Sequence, residues 1–317
     1  MTVLFPEIEP YAQGMLDVGD GNSLHWECSG NPQGKPALLL HGGPGTGSRP
    51  GSRRFFDPDA YRIIQYDQRG CGRSRPHAGD ASTSLAANTT AQLLADIERL
   101  RVHLDIAQWL VFGNSWGTTL GLAYAEANPA LVSALVLVGV TTTRRSEIDW
   151  LYRGMAPLFP AEWEQFRAGV PEAARDGDLI AAYRDLLADP DPEVRAKAAL
   201  DFHAWEAASV SADPRTMPSA QPPDLRYLVA RARIVTHYFH HHAWLEPEQL
   251  LRGAGALAGI PGVMVQGRLD LQAPLMTAWE LARLWPAGRL VLVGGAGHAL
   301  GDAGLAEAII AATNSFR

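Results

Sequence analysis

Trp109-Leu110-Val111-Phe112-Gly113-Asn114-Ser115-Trp116-Gly117-Thr118-Thr119-Leu120 is the stretch on which the fold turns. Residues 109–112 form a short, uninterrupted apolar run, the pattern of a strand covered on both faces. From Trp116 onward, Leu120, Ala123 and Tyr124 recur at helical spacing. The motif Gly113-x-Ser115-x-Gly117 therefore falls on a strand-to-helix turn. Glycine on either side of the serine lets strand and helix pass closely, and the serine projects beside the first turn of the helix. This context marks Ser115 as a candidate nucleophile; glycine-flanked serines elsewhere are often ordinary turns.

Working outward, the runs 24–28, 37–40, 61–66 and 134–140 read as further strands. Leu93, Ile97, Leu100 and Leu104 mark a crossover helix, with Thr89 and Gln92 as a capping box at its start. From 141 to 259 the chain becomes rich in Trp, Ala, Pro and Arg and shows helical segments without a convincing strand. Strand character returns at 263–266 and 290–293, with a helix over 276–284 between them and an amphipathic stretch over 305–312. The expected fold is α/β: a mostly parallel sheet covered by helices, with a helical cap inserted between two strands. Residues 1–140 and 260–317 would form the catalytic domain and 141–259 the cap domain. The segment 211–224, with four prolines, reads as an ordered connector within the cap.

With 317 residues, 47% of them hydrophobic, the chain can bury one large core and a subsidiary module. A formal net charge of −7 argues against wrapping nucleic acid and favours small, neutral-to-cationic substrates. No run approaches the roughly 18 apolar residues of a membrane span. Residues 1–14 lack the apolar stretch of a secretory signal, and Cys28 and Cys71 make no disulfide framework, so a cytoplasmic protein is expected. The oligomeric state is not legible.

A serine hydroxyl needs a base to take its proton, and the base needs a partner to hold its tautomer. His298 lies in Gly294-Gly295-Ala296-Gly297-His298, after the last apolar run, and is the candidate base. Asp270 follows the run 263–266 and is the candidate acid; helix capping is its bland alternative. The competing position after 134–140 continues into Thr141, Thr142 and Thr143, with no carboxylate. The chain order Ser115, Asp270, His298 is that of the α/β-hydrolase fold. His41-Gly42-Gly43-Pro44-Gly45 follows the run 37–40, where this fold supplies part of its oxyanion hole, so the backbones of Gly43 and Trp116 are the candidate donors. Asp67 precedes the nucleophile and is expected to shape the turn 67–74. His237, His240, His241 and His242 lack an accompanying ligand at diagnostic spacing and read as packed or solvated surface. The stretch 30–35 is too short between glycines for a phosphate loop. Neither cofactor nor metal is expected.

These residues together resemble the prolyl aminopeptidases, also called proline iminopeptidases, of the α/β-hydrolase superfamily. The resemblance rests on His41 to Gly45, on Asp67-Gln68-Arg69-Gly70-Cys71-Gly72-Arg73-Ser74, on Gly113 to Gly117, and on the Asp270 and His298 loops. Matching segments also occur at Glu147-Ile148-Asp149-Trp150, Trp205-Glu206, Ala232-Arg233-Ile234 and His237-Tyr238-Phe239. It implies a cofactor-free serine exopeptidase that releases an N-terminal proline from a small peptide or aminoacyl amide through an acyl-enzyme. It further implies Glu206, Trp205, Gly42 and Tyr152 as substrate-binding residues, with Glu206 taking the protonated amine, and it places Cys71 near the site as a thiol-reagent target. Against the family pattern, Val235 stands where a second amine-binding glutamate is usual, and Thr141 and Leu151 stand where pocket aromatics are. Losing one anionic contact to a buried ammonium costs on the order of 2–3 kcal/mol. Two other readings remain open: an esterase or amidase acting on a small metabolite, and a non-catalytic ligand-binding protein of the same fold.

Overall fold

Eight strands make one sheet in the order β1-β2-β4-β3-β5-β6-β7-β8 in a computed structural model that describes residues 4–210 and 224–317. They are β1 (Pro10–Gly19), β2 (Asn22–Gly30), β3 (Lys35–Leu40), β4 (Tyr61–Tyr66), β5 (Trp109–Asn114), β6 (Val132–Val138), β7 (Gly262–Gly267) and β8 (Gly288–Val293). β1 pairs antiparallel with β2, and β2 antiparallel with β4; every other neighbouring pair is parallel. The connector expected over 211–224 lies, but for Asp224, outside the described residues.

Period-two alternation sorts the central strands onto two cores. Leu38, Leu40, Trp109 and Val111 enter one cluster, whereas Ala37, Leu39, Leu110 and Phe112 enter the other on the opposite face. Because both faces are covered, these strands carry no polar alternation, which is why they stand out as continuous apolar runs. β1 has no such run. Its side chains alternate between half-buried and exposed, with Tyr11 and Met15 open to solvent, and the one local sign of the hairpin is the turn Gly19-Asp20-Gly21.

The helices in chain order are α1 (Thr90–His103), α2 (Trp116–Ala127), α3 (Arg145–Asp149), α4 (Pro160–Ala168), α5 (Leu179–Leu187), α6 (Pro192–Ala208), α7 (Leu225–His240), α8 (Gln249–Gly253), α9 (Leu275–Leu284) and α10 (Leu305–Asn314). At α1, Thr89 Oγ1 accepts from the Gln92 amide (3.3 Å), but the Gln92 side chain turns to Arg69. The reciprocal half of the capping box is thus replaced by a tertiary contact. None of the helices among the described residues is long and apolar enough to cross a membrane.

Helices α3 to α8 all stand between β6 and β7. Several share an aromatic core: Phe166 stacks on Tyr183 and Trp205 at centroid distances of 4.6 and 5.5 Å, and Phe202 meets Phe166 and Tyr183 edge-on. α7 ties this group to the loops of the sheet. Arg233 donates to the carbonyls of Ala78, Asp80 and Thr83, and Tyr238 Oη donates to Asn88 Oδ1 (2.6 Å). His237 bonds the Asn88 carbonyl (3.0 Å) and packs against His241 and Trp244.

Candidate active site

Ser115 stands between β5 and α2 at φ 55° and ψ −124°, a backbone conformation costly for an L residue. Its amide donates to the Val138 carbonyl (2.9 Å), and its own carbonyl accepts from the Thr118 amide and hydroxyl (both 2.7 Å). The flanking glycines are demanded by space. A Cβ at Gly113 would lie 2.3 Å from the Gly117 carbonyl oxygen, and one at Gly117 would lie 2.2 Å from that of Leu40.

Asp270 and His298 leave the same edge of the sheet, after β7 and β8. Nδ1 of His298 donates to both Asp270 oxygens, at 2.8 and 3.0 Å. Four further bonds hold the pair: Gln266 Nε2 to Asp270 Oδ2 (3.1 Å), the Ala273 amide to Asp270 Oδ1 (2.8 Å), the Gly297 amide to Asp302 (2.6 Å), and the His298 amide to the Val210 carbonyl (3.0 Å). Burial works against a charge on the His298 ring, yet the charge and hydrogen bond of Asp270, with Asp302 behind, raise its pKa above the ordinary imidazole value.

The loop after β3 brings Gly42 and Gly43 against this turn, and a Cβ on Gly42 would lie 3.1 Å from that of Ser115. As the first residue of α2, Trp116 has no intrahelical acceptor for its amide. Gln68 joins the two pieces: it accepts from Trp116 Nε1 (3.0 Å), donates to the His41 carbonyl (3.2 Å), and its amide donates to His41 Nε2 (3.1 Å). Asp67 accepts from the Ser48 amide and hydroxyl (both 2.7 Å) and from the Arg73 amide (2.8 Å), tying the turn to the β3 loop. Despite burial, these bonds hold its carboxyl below the ordinary range. Cys71 is buried beneath, with Sγ 3.2 Å from the Gln68 carbonyl, and burial raises its thiol pKa well above the ordinary value.

Ser115, Trp116, Gly42, Gly43 and His298 line one cavity of about 750 Å³, and Asp270 stands behind the imidazole. Tyr152, Trp205 and Glu206 line the same cavity from the helical segment, as do Thr141 and Leu151. Trp205 Nε1 donates to the Leu151 carbonyl (3.0 Å), and Gln272 Nε2 donates to the Glu206 carbonyl (2.7 Å). Val235 is fully buried in the larger core with Ile234 and Tyr238.

Serine, aspartate and histidine thus follow β5, β7 and β8 at the C-terminal edge of parallel strands, an arrangement that defines the α/β-hydrolase class. A family sequence model described as alpha/beta hydrolase fold matches residues 35–303. The chain is 50% identical over 317 residues to the probable proline iminopeptidase of Streptomyces coelicolor, spanning 99% of this chain and 97% of that one. It is 45% identical over 320 residues to the proline iminopeptidase of Xylella fastidiosa (100% of both) and 42% identical over 316 residues to that of Arabidopsis thaliana (99% and 82%). The crystal structure of proline iminopeptidase from Mycobacterium smegmatis shares the fold at a TM-score of 0.63 and 19% identity, over 96% of this chain and 97% of that one. This chain belongs to the proline iminopeptidase family.

Three residues of the site carry little local signal. Gln68 and Gln266 work through bonds to partners distant in sequence, among them Trp116 and Val140, whose amide donates to Gln266 Oε1 (2.8 Å). Arg231, on α7, forms an ion pair with Glu206 on α6. For Gln68 the one available sign is its place inside the 67–74 motif.

Proposed function

We propose that the protein releases an N-terminal residue, proline preferred, from small peptides or aminoacyl amides by way of an acyl-enzyme on Ser115. Ser115 Oγ attacks the carbonyl carbon while His298 takes its proton; His298 then gives that proton to the leaving amine, and water releases the acyl group by the same route in reverse. Asp270 holds the imidazole tautomer, and the backbone N–H groups of Gly43 and Trp116 receive the developing oxyanion. Residues 141–259 act as a cap domain on the catalytic domain of 1–140 and 260–317, excluding water and admitting only a first residue. Glu206 meets the protonated amine, in a pocket shared with Trp205, Tyr152 and Gly42. The working compartment is the cytoplasm, in keeping with two free, buried cysteines. The observation that carries this reading is that a carboxylate of the helical segment, Glu206, faces the same cavity as Ser115 and His298. The names borne by relatives matched over nearly the whole chain support it.

A panel of p-nitroanilides of proline, alanine and leucine, with p-nitrophenyl butyrate as an ester control, tests the reading. Fastest release from the prolyl amide is the expected result; ester cleavage with no amide cleavage removes the peptidase claim. An active-site phosphonate should label Ser115, and no labelling would leave a binding protein. The second reading, an esterase or amidase for a small metabolite, is favoured by one contact: Glu206 is already paired with Arg231.

A further inference from the structure

Tyr227, Arg231, Val235 and Phe239 recur every four residues along α7 and so share one face, and Tyr227, Arg231 and Phe239 line the cavity. The Arg231 guanidinium pairs with Glu206 Oε2, with side-chain exposures of 17% and 13%, and Tyr152 Oη donates to Glu206 Oε1 (2.9 Å). Both oxygens of that carboxylate are therefore engaged. The other lining carboxylate among the described residues, Glu147, accepts from Thr141 Oγ1 (2.7 Å), the Thr142 amide (2.9 Å) and Thr277 Oγ1 (2.5 Å). His203, which also lines the cavity, is held below the ordinary imidazole range by burial and then by Arg231. At Glu206 the cavity thus offers an incoming group a closed ion pair rather than an unshared negative charge. A cation gains much less from a neutral pair than from a lone carboxylate at the same distance.

We propose that Arg231 is a specificity-determining residue: it competes with the substrate's ammonium for Glu206, weakening the preference for a charged N-terminus and admitting uncharged acyl groups. This rests on amine recognition by Glu206 as proposed above. The hydrogen bond of Arg231 goes to Glu206 rather than to Ser115, Asp270 or His298, so its replacement should act chiefly on binding of the acyl part.

The test compares Arg231→Gln and Arg231→Lys with the wild type on prolyl p-nitroanilide and p-nitrophenyl butyrate. In Arg231→Gln the KM for the prolyl amide should fall about tenfold, while the KM for the ester holds or rises; Arg231→Lys, which keeps the positive charge, should stay close to wild type. A prolyl KM that is unchanged or raised, or an ester KM that falls in step, overturns the proposal. If the wild type leaves the prolyl amide uncut, the proposed function falls, and Arg231 is read instead from inhibition of ester hydrolysis by L-prolinol, a protonated secondary amine with no scissile bond. There an inhibition constant about tenfold lower in Arg231→Gln supports the proposal, and an equal or higher one overturns it. Should thermal melting show Arg231→Gln unfolded, Arg231→Met, which keeps the length of the aliphatic stem, is read in the same assays.

Discussion

Asp270 with His298, and Glu206 with Arg231, are two acid–base pairs beside one cavity, and they are supported very differently. The first hangs from the ends of adjacent strands and is braced by Gln266, the Ala273 amide, Asp302 and the Val210 carbonyl. The second joins two helices and has one further side-chain brace on its carboxylate, Tyr152. A pair that moves a proton must be held to within fractions of an ångström, so it needs a rigid frame. A pair that only sets the local field tolerates looser support, and its members are open to replacement without loss of the chemistry. On the proposed function, reactivity resides in the sheet edge and selectivity in the helices.

The largest effect should come from Asp270→Asn, which leaves the wrong tautomer facing Ser115 and should lower kcat by about 10⁴-fold. The same variant reports on proton affinity. His298 must be neutral to act as base, and because Asp270 raises its pKa, the acid limb of wild-type kcat/KM should lie above the ordinary imidazole value. With asparagine, burial and the weaker influence of Asp302 remain but the larger raising charge is gone, so the limb should move to lower pH; a limb that stays would show that Asp270 does not set it. Next in size, Glu206→Gln leaves the Arg231 charge unpaired beside the incoming ammonium and should cost about 2–3 kcal/mol in kcat/KM for a prolyl amide, roughly 30- to 150-fold, with a much smaller change in hydrolysis of a butyrate ester. Equal losses on both substrates would erase the division between the two pairs. Smallest, Gln266→Ala should lower kcat about tenfold at constant KM, because it loosens the Asp270 carboxylate without touching the acyl pocket.

How much of this was legible depended on the range of the contacts. The strands β3, β5, β6 and β7 declare themselves because burial on both faces leaves apolar runs, and Ser115 and Asp270 follow such runs within a few residues; β8, a half-exposed edge strand, shows itself only by the short apolar run 290–293 ahead of His298. β1 escaped because one exposed edge strand needs few apolar side chains. The site residues that act through distant partners escaped as well. Nothing near Glu206 in sequence announces a guanidinium 25 positions away on another helix. Val235, where the family pattern points to an amine-binding glutamate, is instead fully buried one helical turn from Arg231. Which residue of a helix meets a cavity and which meets the core is fixed by the tilt of the helix against its neighbours, and a linear pattern does not carry that information.

β6 and β7 lie side by side, with Leu135 opposite Gly262, although the whole of α3 to α8 separates them along the chain. Neighbouring strands sit about 4.8 Å apart, and because these two run parallel the polypeptide leaves at the C-terminal end of β6 and crosses back over the sheet to enter β7 beside the strand it left. The excursion behaves like a cartridge clipped into a fixed socket: its contents can be lengthened, shortened or rewritten while the socket keeps its spacing, because the entropy of closing so long a loop grows only logarithmically with its length. One chassis can in this way carry many different locks.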